Sequence, residues 1–396
     1  MRVEARDLDY PRRILQIVTR PQRRGAEVFA YDLSRRFEEL GKAVKTIYLY
    51  GYEGESALPL HGEDVCLRGS ENHLLERVLG FHPGLLQRVR REIRAFSPDI
   101  VQVNGSRSVK YGAAAKQFAR GHPSWKLIYR NIGVPSDWHR GEDTVLAYRF
   151  MIMPKMDGVI GVSQRSLSDA KSLYRLEGPA EVITNGVSAA RLEVMRTSDQ
   201  VRSELGARED DFIALFLGHL EEAKRPDRFI SVIDQVARRL PNVHGWIVGA
   251  GPLEESLREQ ARRLDLGERI RFLGSRSDVA TYLAAANLLL STSDTEGVPA
   301  TILEAALMGL PVVATRVGGL AECVIHEETG ILVASGSERE MIEAIESLAR
   351  NPERLQRMGR VARQKASETY TIESVASKYL DFYRSVGAPT LSPAIR

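Results

Sequence analysis

Two carboxylates, Glu296 and Glu304, flank a Gly-Val-Pro turn in the stretch EGVPATILEAALMGLPVVATRVGGLAE, which runs from Glu296 to Glu322. Pro299 suits the first position of a helix, where its missing N–H leaves nothing unsatisfied. The pattern predicts a helix from about Pro299 to Met308 that stops at Gly309, with Pro311 beyond it. Glu296 would lie in the loop entering that helix, and Glu304 more than one turn inside it. Between them, beside Gly297 and Val298, the unpaired N–H groups of the first turn can hold an anion. Carboxylates accept hydrogen bonds from hydroxyls. A ligand carrying both a diphosphate and sugar hydroxyls fits that layout. Two glutamates alone would mean little: a turn residue and a solvated helix carboxylate.

The surrounding residues keep the same register. The order E-G-x-P, a second Glu eight residues after the first, G-x-P-V-V, then Gly318-Gly319 and Glu322, resembles family 4 of the retaining glycosyltransferases. The resemblance implies the GT-B fold, an α/β architecture. It has two Rossmann-like doubly wound parallel-sheet domains facing each other across a cleft, with a C-terminal helix crossing back to the N-terminal domain. It also implies that Glu304 holds the ribose hydroxyls of a nucleotide-diphosphate sugar and Glu296 the hydroxyls of the transferred sugar. Gly297, Val298 and Pro299 would line the donor site.

Further residues match the same pattern, with departures. After the apolar run Phe212–Leu217 comes Gly218-His219-Leu220, and Lys224 falls at the family's lysine, which would bind the donor diphosphate. A fixed positive charge there matters most as the leaving group gains negative charge. His219 stands where the family has arginine; it can donate to a phosphate but lacks arginine's bidentate fork. Arg225 is a nearby cation able to supply the missing charge. Gly249-Ala250-Gly251-Pro252 resembles the family's G-x-G-P turn, where Gly251 would let the backbone approach a ligand. Ile270 to Gly274, including Leu273, matches the segment placed beside the nucleotide base. Arg24-Gly25-Ala26-Glu27 resembles a G-G-x-E loop, so Gly25 would lie against the donor phosphates or the acceptor. Asn131 occupies the place of a family histidine; it cannot act as a base but can orient a sugar hydroxyl. Asp137 and His139 are the next candidates for acceptor contacts. A G-x-G-x-x-G dinucleotide fingerprint is absent, so NAD and FAD are not expected.

Elements that could hold these residues recur along the chain. Short apolar runs alternate with longer amphipathic segments, the mark of parallel sheets built from βαβ units. Strands are predicted at Ile14–Thr19, Val44–Tyr50, Ile100–Val103, Leu127–Tyr129 and Val159–Val162, then again at Phe212–Leu217, Val243–Val248, Ile270–Leu273, Leu288–Ser291 and Val312–Thr315. The restart implies two doubly wound domains. The expected division is 1–190, the acceptor-binding domain, and 191–370, the nucleotide-sugar domain, with a helix at about 371–396 returning to the first. The polar stretch from Asn185 to Asp211 reads as the linker.

Composition bounds the remaining possibilities. A chain of 396 residues that is 43% hydrophobic and 27% charged reads as a soluble two-domain protein. MRVEARDLDYPRR lacks the apolar core of a secretory signal, and no apolar run is long enough to span a bilayer. Two cysteines, Cys66 and Cys323, exclude a disulfide framework and fit a reducing cytoplasm. No cluster of metal ligands appears, and no cofactor is expected beyond the donor substrate. A net charge of +3 without an aromatic-basic stripe argues against nucleic acid. The segment from Arg77 to Arg94 carries five arginines and an apolar stripe of Leu85, Leu86, Val89 and Ile93. It reads either as a contact with an anionic membrane surface or as a helix facing its own core.

The resemblance therefore implies transfer of a sugar from a UDP- or GDP-sugar to a sugar or lipid-linked acceptor, in bacterial polysaccharide, glycolipid or glycoconjugate synthesis. The enzyme would be metal-independent. It would be either free in the cytoplasm or peripheral at the inner face of the membrane. The rivals are another GT-B enzyme, such as a phosphorylase or epimerase, and a catalytically silent binding subunit of a polysaccharide-assembly complex.

Overall fold

The computed structural model describes residues 9–387, apart from 55–56, 68–80, 120, 122, 138 and 140. The chain forms two compact units, one ending at Gly186 and resumed from Ile372, the other spanning Val187–Thr371. Each holds one parallel sheet.

The first sheet comprises β1 (Arg13–Val18), β2 (Ala43–Tyr48), β3 (Val65–Cys66), β4 (Ile100–Asn104), β5 (Lys126–Asn131), β6 (Gly158–Gly161) and β7 (Ala180–Val182), in the order β3-β2-β1-β4-β5-β6-β7. The second comprises β8 (Phe212–Leu217), β9 (Val243–Val248), β10 (Ile270–Gly274), β11 (Leu288–Ser291), β12 (Val312–Thr315) and β13 (Gly330–Val333), in the order β10-β9-β8-β11-β12-β13. All pairings are parallel. Helices on both faces bury the strands, so FIALFL and VVAT read as unbroken apolar runs. In each sheet the winding reverses beside the first strand, between β1 and β4 and between β8 and β11. Loops at the carboxyl ends of those paired strands diverge there, and doubly wound sheets bind ligands at that point.

Several elements carry little signal in the sequence pattern. β3 and β7 are edge strands of two and three residues, too short to show a period, and β13 follows a polar turn. The helix Ser198–Glu204 lies inside the stretch read as linker, where Thr197 and Gln200 form a capping box. The helix Pro352–Thr369 starts from an Asn351 cap with proline at its first position.

The basic segment resolves into the helix Pro83–Phe96, with residues 77–80 outside the described part. Leu85, Leu86, Val89, Ile93 and Phe96 are all buried in the core of the first unit. The apolar stripe is therefore committed to the protein interior. This matches the reading of a helix that faces its own core, with the stripe packed inside the first unit. Among the described residues, no helix is long and apolar enough to cross a membrane.

Candidate active site

The loop after β8 (218–225) and the loop after β11 (292–299) leave the second sheet on the two sides of its switch point. A dense set of bonds ties them together. The Asp294 N–H donates to the Ala223 carbonyl at 2.9 Å, and the Thr292 hydroxyl donates to the carbonyls of Lys224 and Arg225 at 3.0 and 2.8 Å. The buried Arg228 donates to the Thr292 carbonyl at 2.7 Å and pairs with Asp294 at 2.8 Å. Burial opposes ionisation of Asp294, but hydrogen bonds from Arg228 and Arg225 outweigh it and hold its carboxyl below the usual range. Arg225 also grips Asp227, whose pKa is lowered chiefly by that bond. Arg225 is thus a brace between loops, its donors paired with Asp227 and Asp294.

Lys224 and Glu296 meet on this brace. The Lys224 ammonium pairs with Glu296 Oε1, and the Ser293 hydroxyl donates to the same oxygen at 2.7 Å. The Lys224 side chain is 26% exposed and that of Glu296 11%, so the pair is sheltered yet reachable. Thr315 fixes Ser293 in turn by donating to its carbonyl at 2.6 Å. The Glu296 backbone is gripped as well. The Gly319 N–H donates to its carbonyl at 3.2 Å, and Gly318, at φ +51°, lies so close that a Cβ would sit 1.7 Å from that oxygen. Only glycine fits there.

The helix following Glu296 is Ala300–Met308, with Pro299 as its N-cap and Gly309 at φ +75° ending it. Proline offers no capping side chain; the Ile302 N–H donates to the Pro299 carbonyl at 3.2 Å, and the first-turn N–H groups of Ala300 and Thr301 receive no side-chain cap. Val298 and the helix residues Ile302 to Leu307 are buried. Glu304 is only 3% exposed, and its carboxylate forms an ion pair with Arg191.

The remaining candidates separate into three groups. His219 is exposed in the β8 loop, between Gly218 and the buried Leu220. Gly251 and Leu273 have partners inside the protein. A Cβ on Gly251 would lie 2.4 Å from the Leu220 carbonyl, so this glycine serves the close packing of two loops. The Leu273 carbonyl accepts from Arg276 Nε at 2.8 Å.

The third group lies in the first unit. Gly25 opens the helix Gly25–Glu39, is exposed, and has nothing within 4 Å of its Cβ position. Asn131, 1% exposed at the end of β5, donates to the Ser166 carbonyl at 3.0 Å and accepts from the Tyr129 hydroxyl at 3.1 Å. Its amide is thus occupied at both ends by core partners. His139 Nε2 lies 2.6 Å from the Tyr174 hydroxyl and packs edge-on against Tyr148 and Tyr174. Burial, then the Lys110 charge, lowers its pKa. Asp137 is exposed in the short turn Pro135–Asp137.

Sequence reasoning missed Ser293 and Arg191. A serine three residues before Glu296 was readable as a possible partner. Arg191, in a polar stretch without period, carried no signal. Among the described residues, no group of three or more His, Cys, Asp or Glu is placed to hold a metal ion.

Two family descriptions match the chain. "Glycosyltransferase Family 4" covers residues 23–191, and "Glycosyl transferases group 1" covers residues 197–365. The chain is 27% identical over 273 residues to the N-acetyl-alpha-D-glucosaminyl L-malate synthase of Bacillus anthracis, covering 66% of this chain and 70% of that protein. It is 28% identical over 249 residues to a lipopolysaccharide core biosynthesis mannosyltransferase of Rhizobium meliloti, covering 60% and 68%. Its fold superposes on that of Anabaena HepE in complex with UDP-glucose with a TM-score of 0.79 at 22% identity, covering 94% of this chain and 99% of the other. The chain belongs to the group 1, family 4 glycosyltransferases and has their GT-B fold. It is a transferase enzyme.

Proposed function

We propose that this enzyme moves a sugar from a nucleotide-diphosphate sugar to an acceptor hydroxyl, with retention at the anomeric carbon. The observation that carries the reading is the grouping of Lys224, Ser293 and Glu296 at the switch point of the second sheet, beside an uncapped helix start. Ser293 and Lys224 both use Glu296 Oε1, which leaves Oε2 to accept from a hydroxyl of the transferred sugar. An ammonium has three donors, so Lys224 can hold Glu296 and still bind phosphate oxygens. Glu304 would accept from the ribose hydroxyls, and the N–H groups beyond Pro299 would face the diphosphate.

In the reaction, the bond from the anomeric carbon to the phosphate oxygen breaks, and both electrons go to that oxygen. The acceptor oxygen forms the new bond on the same face, and its proton passes to the departing phosphate oxygen. Lys224 and the helix N–H groups offset the growing charge on the diphosphate, worth several kcal/mol at about the scale seen for comparable sites. Such a scheme needs no separate base, which accords with an Asn131 amide engaged in the core. It needs no metal, and transfer should persist in EDTA.

UDP is the favoured nucleotide, supported by the UDP-glucose complex of a protein with the same fold. The named relatives support a role in glycoconjugate synthesis. The test is to supply UDP-, GDP- and ADP-hexoses with a panel of sugar, lipid-linked and hydroxy-acid acceptors, following nucleotide release and product anomer by NMR. An inverted product would overturn retention. Donor binding with no turnover across the panel would overturn transfer in favour of a silent binding subunit.

A further inference from the structure

We propose that Arg191 is a positioning residue for the donor: its guanidinium keeps the buried Glu304 carboxylate ionised and oriented to receive the ribose hydroxyls. The inference rests on the reading of Glu304 as the ribose contact.

A carboxylate only 3% exposed is costly to keep charged unless a partner is supplied. The helix itself supplies little. Glu304 is the fifth residue of Ala300–Met308, beyond the first turn where unpaired N–H groups and the helix dipole act. Its helix neighbours Ile302, Leu303, Ala305 and Ala306 are buried and apolar. The site cation Lys224 is engaged with Glu296. Arg191 provides the ion pair, and its side chain is 25% exposed, at the border between interior and solvent.

Arg191 is also delivered by an anchored segment. It sits in the 3-10 turn Ala189–Leu192, and its N–H donates to the Ser188 carbonyl at 3.0 Å. Upstream, the Val187 N–H donates to the Tyr370 carbonyl at 2.9 Å. Downstream, the Met195 N–H donates to the Thr281 hydroxyl at 3.1 Å, and Arg196 pairs with Asp278 at 2.7 Å. Both ends are pinned to the second unit, so the guanidinium is presented in one place. A planar, always-charged group suits that task better than a flexible ammonium.

The test measures binding of UDP and of 2′,3′-dideoxy-UDP by calorimetry to the wild type, Arg191→Met, Arg191→Lys and Glu304→Gln. The wild type should prefer UDP by at least about tenfold, the scale of hydrogen bonds to a charged group. Arg191→Met should bind the two nucleotides alike, Arg191→Lys should recover part of the preference, and adding Arg191→Met to Glu304→Gln should cause no further loss. A merely structural role would weaken both nucleotides equally. That result, or an undiminished preference in Arg191→Met, overturns the inference. A Glu304→Gln variant that keeps the preference while Arg191→Met loses it overturns it too, since Arg191 would then touch ribose itself. A wild type indifferent to the ribose hydroxyls overturns the reading of Glu304 on which the inference rests. Unchanged ligand-free melting of each variant confirms that folding is not the cause.

Discussion

Glu296 Oε1 accepts from both Lys224 and Ser293, and this double engagement sets what a substitution there should do. Glu296→Gln keeps the shape but removes the charge that draws Lys224, so the sugar contact and the placement of the ammonium weaken together. Transfer should fall by about 10²-fold or more, the range for losing one preorganised electrostatic group. UDP affinity should change far less, and the melting midpoint hardly at all. Steady-state rates beside calorimetry check this; an unchanged rate would remove Glu296 from the chemistry. At this scale the residue types were readable, since E-G-x-P and the lysine of the β8 loop stand out in the chain. Their partners were not. Glu296 finds Lys224 across 72 positions of sequence, and Asn131 proved to be a doubly bonded core amide because Tyr129 and Ser166 flank it in space.

The elements were read best where burial is most complete. β8, β9, β11 and β12 match their predicted spans because both faces are covered and most of their residues are apolar. The short edge strands β3 and β7, with only part of that burial, left no comparable trace. Two glycines, Gly318 in the loop after β12 and Gly25 at a helix start, make opposite predictions. Gly318→Ala must push a Cβ into the Glu296 carbonyl at a positive φ, so it should cost about 2–4 kcal/mol and abolish transfer by moving the Glu296 loop. Gly25→Ala has open space at the first position of a helix and should hold or raise stability by about 0.5 kcal/mol. If Gly25 is where a ligand approaches the backbone, activity will drop in that variant despite intact melting. Full activity in Gly25→Ala would remove the loop from the site.

The last described helix completes the first unit. The helix Ile372–Gly387 buries Val375, Tyr379, Leu380, Phe382 and Tyr383 against Ile14, Phe29, Phe37 and Ile128. The Tyr383 hydroxyl donates to Gln102 Oε1 at 2.5 Å, inside a polar network with Gln16, Asn104 and the wholly buried Arg130. Removing residues 372–396 would expose several large side chains at ~1.5–3 kcal/mol each, comparable with a domain's entire net stability. The truncated chain should keep the second unit folded and lose the first, seen as protease resistance confined to about 187–371. Tyr383→Phe is the mild version. It should cost ~1–2 kcal/mol and lower the melting midpoint by a few degrees, because Gln102 loses a donor in a dry site. A truncated protein that melts like the full chain would refute this account.

The order of apolar runs, the capping signals and the glutamate–glycine register depend on neighbours within a few residues. They were therefore present in the linear chain, and they sufficed for the fold class and for naming the candidate donor-site residues. Which charge meets which depends on loops that leave adjacent strands at a winding reversal, and on helices that return after hundreds of residues. The pairs Lys224–Glu296 and Arg191–Glu304, and the sealing of the first unit by its last helix, were settled only when folding brought those segments together.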